Sequence, residues 1–174
     1  MLMGMLSAGG VALMVDGVRT ADEDNPKGYH ELEQVKALDK PGDRTWLAAA
    51  QGKALKIISF LLQHLPDTYD YKIIFMRRSL PEVLASQQKM LERRGEASGD
   101  AGDDKLAGMF AAHLTKVESL ISSRDNCDVL YVDHRDTVGD PSAVADAINE
   151  FLGGHLDTGA MTAVVDPGLY RNRA

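Results

Sequence analysis

The chain has 174 residues, 44% hydrophobic and 26% charged, with a formal net charge of −7. This length suits one domain with a substantial core, and the acidic balance disfavours a general binder of nucleic acid or anionic membrane, which needs a basic surface. Cys127 is the sole cysteine, which rules out an internal disulfide or a cysteine-rich zinc site, and the expectation is an intracellular, cytoplasmic protein.

The chain begins MLMGMLSAGG, apolar from the first residue and without a Ser, Thr, Asp or Asn cap. No Lys or Arg precedes Arg19, which argues against a secretory signal. The apolar run ends at Asp16, short of the roughly 20 residues that span a bilayer. Residues 1–9 read as a helix closing at Gly9-Gly10. VALMVD, 11–16, reads as a short buried strand ended by Asp16-Gly17. TADEDNPKG, 20–28, is a loop by its Asn-Pro and Gly punctuation. YHELEQVKAL, 29–38, suits a helix that Pro41-Gly42 terminates. ALKIISFLLQHLP, 54–66, reads as a buried strand in its first half and a short helix in its second, and periodicity alone does not separate the two.

YKIIFM, 71–76, reads as a strand. The helix after it has an S-x-x-E signature at Ser79 and Glu82 and Pro81 in its first turn. Leu80, Val83, Leu84, Met90 and Leu91 give it an apolar face before Gly95, and 96–104 is a polar loop. A second helix runs from Asp103 towards Arg124, acidic at its start and basic at its end. Leu106, Phe110, Leu114, Val117 and Ile121 make its stripe, with His113 at the boundary. CDVLYVD, 127–133, is a strand with Cys127 as a small core residue. Asp140 caps a last clear helix with Pro141 at its first position. Ala143, Val144, Ala147, Ile148, Phe151 and Leu152 form its core face, and Gly153-Gly154 ends it.

Strands that alternate with helices imply an α/β domain with a parallel sheet and helices on both faces. Ligands of such sheets sit beyond the carboxyl ends of the strands. Arg77 and Arg78 fall there, and Ser86 follows Arg78 by eight residues on the next helix. A guanidinium, a hydroxyl and the amides of a helix start make an anion cradle. The same residues also fit a structural role, since Arg is common at strand ends and Ser86 can bond back to its own helix.

FMRRSLPEVLASQQKML resembles the 3′-phosphate-binding segment of the sulfotransferase family. The likeness lies in an Arg ending a strand, a Pro opening the next helix and a Ser eight positions beyond the Arg. VLYVDHRDTVGDPSAVADAINEFLGG is similar to that family's later strand, Asp-Pro helix start and Phe-Leu-Gly ending. ALKIISFLLQHLP resembles its strand with a His-Leu-Pro segment, and NPKGYHELEQVKAL a segment of bacterial sulfotransferase-like proteins. The resemblance implies a three-layer, P-loop-type parallel sheet with helices on both faces. It implies that Arg78 and Ser86 hold the 3′-phosphate of 3′-phosphoadenosine-5′-phosphosulfate (PAPS), or of 3′-phosphoadenosine 5′-phosphate. DPGLYRNRA is similar to the family's late basic loop, which assigns Arg171 and Arg173 to the same phosphate. A solvated basic tail is the equal alternative.

The chain departs from the family in one respect. The Gly-rich phosphate loop ending in Ser or Thr is not found, because Gly9-Gly10 follows a helix instead of preceding one. The resemblance therefore implies that the first strand and that loop lie upstream of Met1, that the chain as it stands is inactive, and that a second copy is a candidate to complete the sheet.

Transfer of a sulfuryl group to an acceptor needs a base for the acceptor's proton. Glu31 is preferred and His30 comes second, with Glu33 sharing the face of His30 if 29–38 is helical; each also reads as an ordinary exposed residue. Asp22, Glu23 and Asp24 read as a solvated loop, and no metal is expected. The acceptor is unreadable. A kinase of the same broad fold is the rival enzyme, lacking here its phosphate-loop Lys and acidic magnesium site. A non-catalytic nucleotide-binding or assembly module is the other rival.

Overall fold

The computed structural model describes residues 1–19, 21, 25, 28–85 and 103–169. Helix α1 spans Leu2–Ala8 with no side-chain cap at Met1 and buries Met5 and Leu6. Gly9 closes it for a steric reason. A Cβ there would stand 2.7 Å from Met161 Cγ, so the bare backbone lets the end of α1 approach the last helix.

The amino-terminal third departs from the helices and strand that its residues suggest. Segment 11–16 forms no ladder, only an isolated parallel bridge between Leu13 and Ala54. Ala54 N–H donates to Ala12 O at 2.8 Å and Met14 N–H to Ala54 O at 2.9 Å. The pairing stops because Asp16 turns away: its carboxylate accepts from Val18 N–H at 2.9 Å and Glu33 N–H at 2.5 Å.

Segment 29–38 is not an α-helix. His30 lies in the left-handed region at φ +50°, and Leu32 is still extended. A 3-10 turn, Glu33–Ala37, follows. The burial explains the choice: Leu32, Val35 and Leu38 are the buried residues, and a spacing of three matches three residues per turn better than 3.6. With His30 outside any helix, the expected shared face of His30 and Glu33 does not exist.

A further 3-10 turn, Thr45–Ala50, was not foreseen; Asp43 opens it by accepting from Thr45 N–H at 2.8 Å. Segment 54–66 resolves as extended backbone from the Ala54 bridge into a 3-10 turn, Ser59–His64, which buries Leu61 and Leu62.

The sheet proper is β1 (Tyr71–Arg77) and β2 (Cys127–Asp133), parallel, with Tyr71 opposite Cys127 and Arg77 opposite Asp133. Among the described residues it has these two strands only. Both faces are covered, so the strands read as apolar runs rather than alternating ones. On one face Ile73, Phe75, Val129 and Tyr131 meet the 3-10 turns and Val117 and Ile121 of α3 (Asp103–Ser122). On the other, Ile74, Met76, Leu130 and Val132 meet Met5 and Leu6 of α1, with Ile148 and Met161. The architecture is mixed α/β.

A helix, α2, begins at residue 80 and is described to 85. The α3 stripe is buried only towards its end. Val117 and Ile121 are buried, whereas Leu106 is exposed. Helix α4 (His134–Gly139) leads into α5 (Pro141–Leu152), where Asp140 Oδ1 accepts from Ala143 N–H at 3.0 Å and Gly153 closes the end at φ +104°. Ala145 and Ile148 are buried. Ala143 and Ala147 are exposed, contrary to their assignment to the core face. At about 100° per residue they stand about 140° and 100° round the helix from Ile148. Helix α6 (Thr158–Ala163) buries Met161 against α1.

Candidate functional site

The carboxyl edge of the parallel pair gathers charged residues, and the pleat sorts them by face. Successive strand residues point to opposite sides. Arg77 follows Ile73 and Phe75 onto the α3 face. Its guanidinium makes two hydrogen bonds to Glu118, Nε to Oε1 at 3.0 Å and Nη2 to Oε2 at 2.9 Å, and lies 3.9 Å over the Tyr131 ring. The bond to Glu118 raises the pKa of Arg77 above its ordinary value. This residue ties the strand end to α3.

Arg78 turns the other way. Its Nε donates to Glu82 Oε2 at 3.0 Å, an i,i+4 pair across the start of α2. Glu82 is 7% exposed, and a carboxylate so buried needs a charged partner. The pair fixes the plane of the guanidinium at the strand end. His134, the first residue of α4, faces the same pair. Burial, then the Arg78 charge, pushes its pKa below the usual imidazole value, with Glu82 acting in the opposite sense.

Glu31 sits in a second cluster. Its Oε1 accepts from Lys56 Nζ at 3.0 Å and from Arg19 Nη1 at 3.3 Å. Lys56 also donates to Tyr29 O at 3.1 Å, and the Arg19 guanidinium lies 3.3 Å over the Tyr29 ring. Burial pushes the Glu31 carboxyl up, but the Lys56 ammonium and Arg19 guanidinium together outweigh it and hold it below the ordinary value. Glu31 is therefore ionised at neutral pH and a weaker base than a free carboxylate. His30 stands next to it in its left-handed conformation. Glu33 pairs with Lys36 at 2.7 Å instead of with His30.

The structure thus groups Glu31 with Lys56, Arg19 and Tyr29, and Arg78 with Glu82 and His134; the two groups have none of these residues in common. Ser86, Arg171 and Arg173 lie outside the described residues, as do Asp22, Glu23 and Asp24. Glu82 was readable as a partner of Arg78 from the i,i+4 spacing alone, although the capping signature drew attention first. His134 carried a weaker signal, a His directly after a strand. Lys56 carried none, because it reaches Glu31 across 25 positions of chain.

A cavity of about 520 Å³ opens beside β2, α4 and α5, lined by Tyr131, Asp133, Asp136, Asp140 and Val144 among others. Neither Arg78 nor the candidate bases Glu31 and His30 line it. Among the described residues no group of three or more His, Cys, Asp or Glu is placed to hold a metal ion, and no helix is long and apolar enough to cross a membrane. No family model, curated protein or solved structure matches the chain.

Proposed function

We propose that the chain is a sulfotransferase-like domain whose Arg78 binds the ribose 3′-phosphate of a PAPS-type donor. The observation that carries this reading is the position of Arg78. It stands between the last residue of a parallel strand and the first turn of the next helix, with its guanidinium plane set by Glu82. Ligands of parallel sheets collect at that edge, and a fixed fork of N–H donors suits phosphate better than a flexible ammonium. Ser86 and the basic residues Arg171 and Arg173 complete the phosphate contacts in this reading, and the P-loop-type sheet belongs to it as well.

The donor, when bound, supplies a sulfuryl group activated by its bond to phosphate. The chain's own work is to orient that nucleotide and to take a proton from the acceptor. Glu31 is the proposed base, with His30 second. Lys56 and Arg19 keep Glu31 charged and fixed, and they also lower its basicity.

Calorimetric titration with 3′-phosphoadenosine 5′-phosphate and, separately, with ATP plus magnesium tests the reading. The expected result is weak binding with at least a tenfold preference for the bisphosphate, lost in Arg78→Ala. A preference for ATP with magnesium moves the chain to the kinases. Binding of neither, or binding unchanged in Arg78→Ala, overturns the assignment and leaves a non-catalytic module.

A further inference from the structure

His113, at the boundary of the α3 stripe, takes no part in the clusters around Arg78 and Glu31. It lies where α3 meets the 3-10 turn Ser59–His64. Two consecutive residues of that turn hold its imidazole. Ser59 Oγ is 3.0 Å from Nε2. The Phe60 ring stacks on the imidazole face, with centroids 3.7 Å apart and planes 10° from parallel. One contact at a ring nitrogen and another at the ring face leave the side chain little torsional freedom. Ser59 and His113 are both half-buried, so the pair is within reach of a ligand.

A serine at the start of a turn usually bonds to nearby backbone. The Ser59 hydroxyl instead has His113 as its one hydrogen-bond partner among the described residues. A hydroxyl has a proton to give, and a neutral imidazole accepts at the nitrogen that carries none. With Ser59 donating, Nε2 is the base and Nδ1 carries the ring proton. A Ser and a His at this distance are the nucleophile and base of acyl transfer. Hydrolase triads add a third group that orients the imidazole. Here the Phe60 ring orients it, and among the described residues no carboxylate bonds to His113.

The neighbours select the acyl group. Ile58 and Phe60 flank Ser59 in the chain, and Met109 stands one turn before His113 on the same side of α3. They are 58%, 53% and 64% exposed. Three large apolar side chains exposed around one polar pair suit a hydrocarbon chain and not a charged one.

We infer that Ser59 and His113 form a nucleophile–base pair that cleaves esters of short aliphatic acids. Ser59 Oγ bonds to the acyl carbon while its proton passes to His113 Nε2. That proton goes on to the leaving oxygen as the bond between acyl carbon and leaving oxygen breaks. Water then attacks the acyl-serine and gives a proton to Nε2. The bond from Oγ to the acyl carbon breaks, Oγ regains the proton, and the carboxylic acid leaves. This activity is independent of the proposed nucleotide, whose residues take no part in it.

The probes are 4-nitrophenyl butyrate and 4-nitrophenyl acetate, added to the full chain. Nitrophenolate release gives the rate, and mass spectrometry locates the acyl group. The expected product carries a butyryl group on Ser59 that neutral hydroxylamine removes, as it removes esters and leaves lysine amides. Ser59→Ala should lose that label, and His113→Gln should slow acylation about a hundredfold. Relative to the uncatalysed rates, butyrate should be favoured about fivefold over acetate. Met109→Ala, at an exposed position, should shrink that preference and leave the fold intact. Three results overturn the inference: no hydroxylamine-labile butyryl group on Ser59 of the parent chain, labelling of Ser59 no faster than that of Ser123, whose hydroxyl donates to Leu120 O, or an unchanged rate in His113→Gln. Equal rates for the two esters overturn the choice of acyl group.

Discussion

Residues 127–163 and residues 11–66 were equally readable as sequence, and they behave differently as structure. In the later region β2 and α5 stand where their local signals place them, although α4 and α6 were not foreseen. β2 occupies the whole of CDVLYVD, Asp140 accepts from the third residue of α5, Pro141 opens that helix and Gly153 ends it left-handed. In the earlier region an expected strand is one bridge and an expected helix is a 3-10 turn. The difference is where each element's hydrogen bonds come from. The later helices are capped within a few residues by Asp140, Asp157 and Gly153. The earlier ones depend on partners far along the chain: Glu33 on Asp16, Lys56 on Tyr29 and Glu31, Ala54 on Ala12.

The contrast can be tested where both regions bury a residue completely. Ile148 is 0% exposed and Leu38 is 1% exposed. Ile148→Ala should cost about 2–5 kcal/mol, because the helices around it cannot close the cavity. Leu38→Ala should cost less, at the lower end of the same range of about 2–5 kcal/mol, since a 3-10 turn held by few bonds can settle into the space. Urea unfolding of both variants decides the matter, and equal losses would show that the two regions are packed with the same rigidity.

A smaller effect is expected from the cap of α5. Asp140→Ala removes the acceptor for Ala143 N–H and should cost about 1 kcal/mol. Amide exchange should quicken in the first turn of α5 and leave the 3-10 turn Glu33–Ala37 unchanged. If exchange quickens in both places, the regions are coupled and the local account of the cap is wrong.

The gentlest probe is pH. Burial and Arg78 hold the pKa of His134 below 6.5 in the folded chain. Between that folded value and 6.5 the unfolded chain binds more protons at this position, so its contribution to stability falls as the pH drops through the window and is constant above it. Urea midpoints at about pH 7.5 and about pH 5.5 should differ less in His134→Gln than in the parent chain. An unchanged difference would place the acid sensitivity in other groups.

Much of the fold was legible in the chain. Both strands, α1, the stripe of α3 and the caps of α5 follow from β-branched runs, helical spacing and Asp, Pro and Gly at element ends. The stripe misled at Leu106, and the α5 face at Ala143 and Ala147, because burial there depends on what stands opposite. Of the site, the strand-end position of Arg78 was readable. The i,i+4 spacing of Glu82 also signalled its partner, whereas the pairing of Arg77 with Glu118 and the two cations around Glu31 were not readable.

What the sequence by itself determined is the capped helices, which close their ends locally, the apolar runs of β1 and β2, and an Arg pair at a strand end. The tertiary structure alone decided the 3-10 turns, the left-handed His30, the opposite fates of Arg77 and Arg78, and the reduction of segment 11–16 to one bridge. The physical reason is range. A cap or a helical stripe is fixed by neighbours within a turn, whereas a buried charge or an open strand edge is fixed by whichever distant segment folds against it.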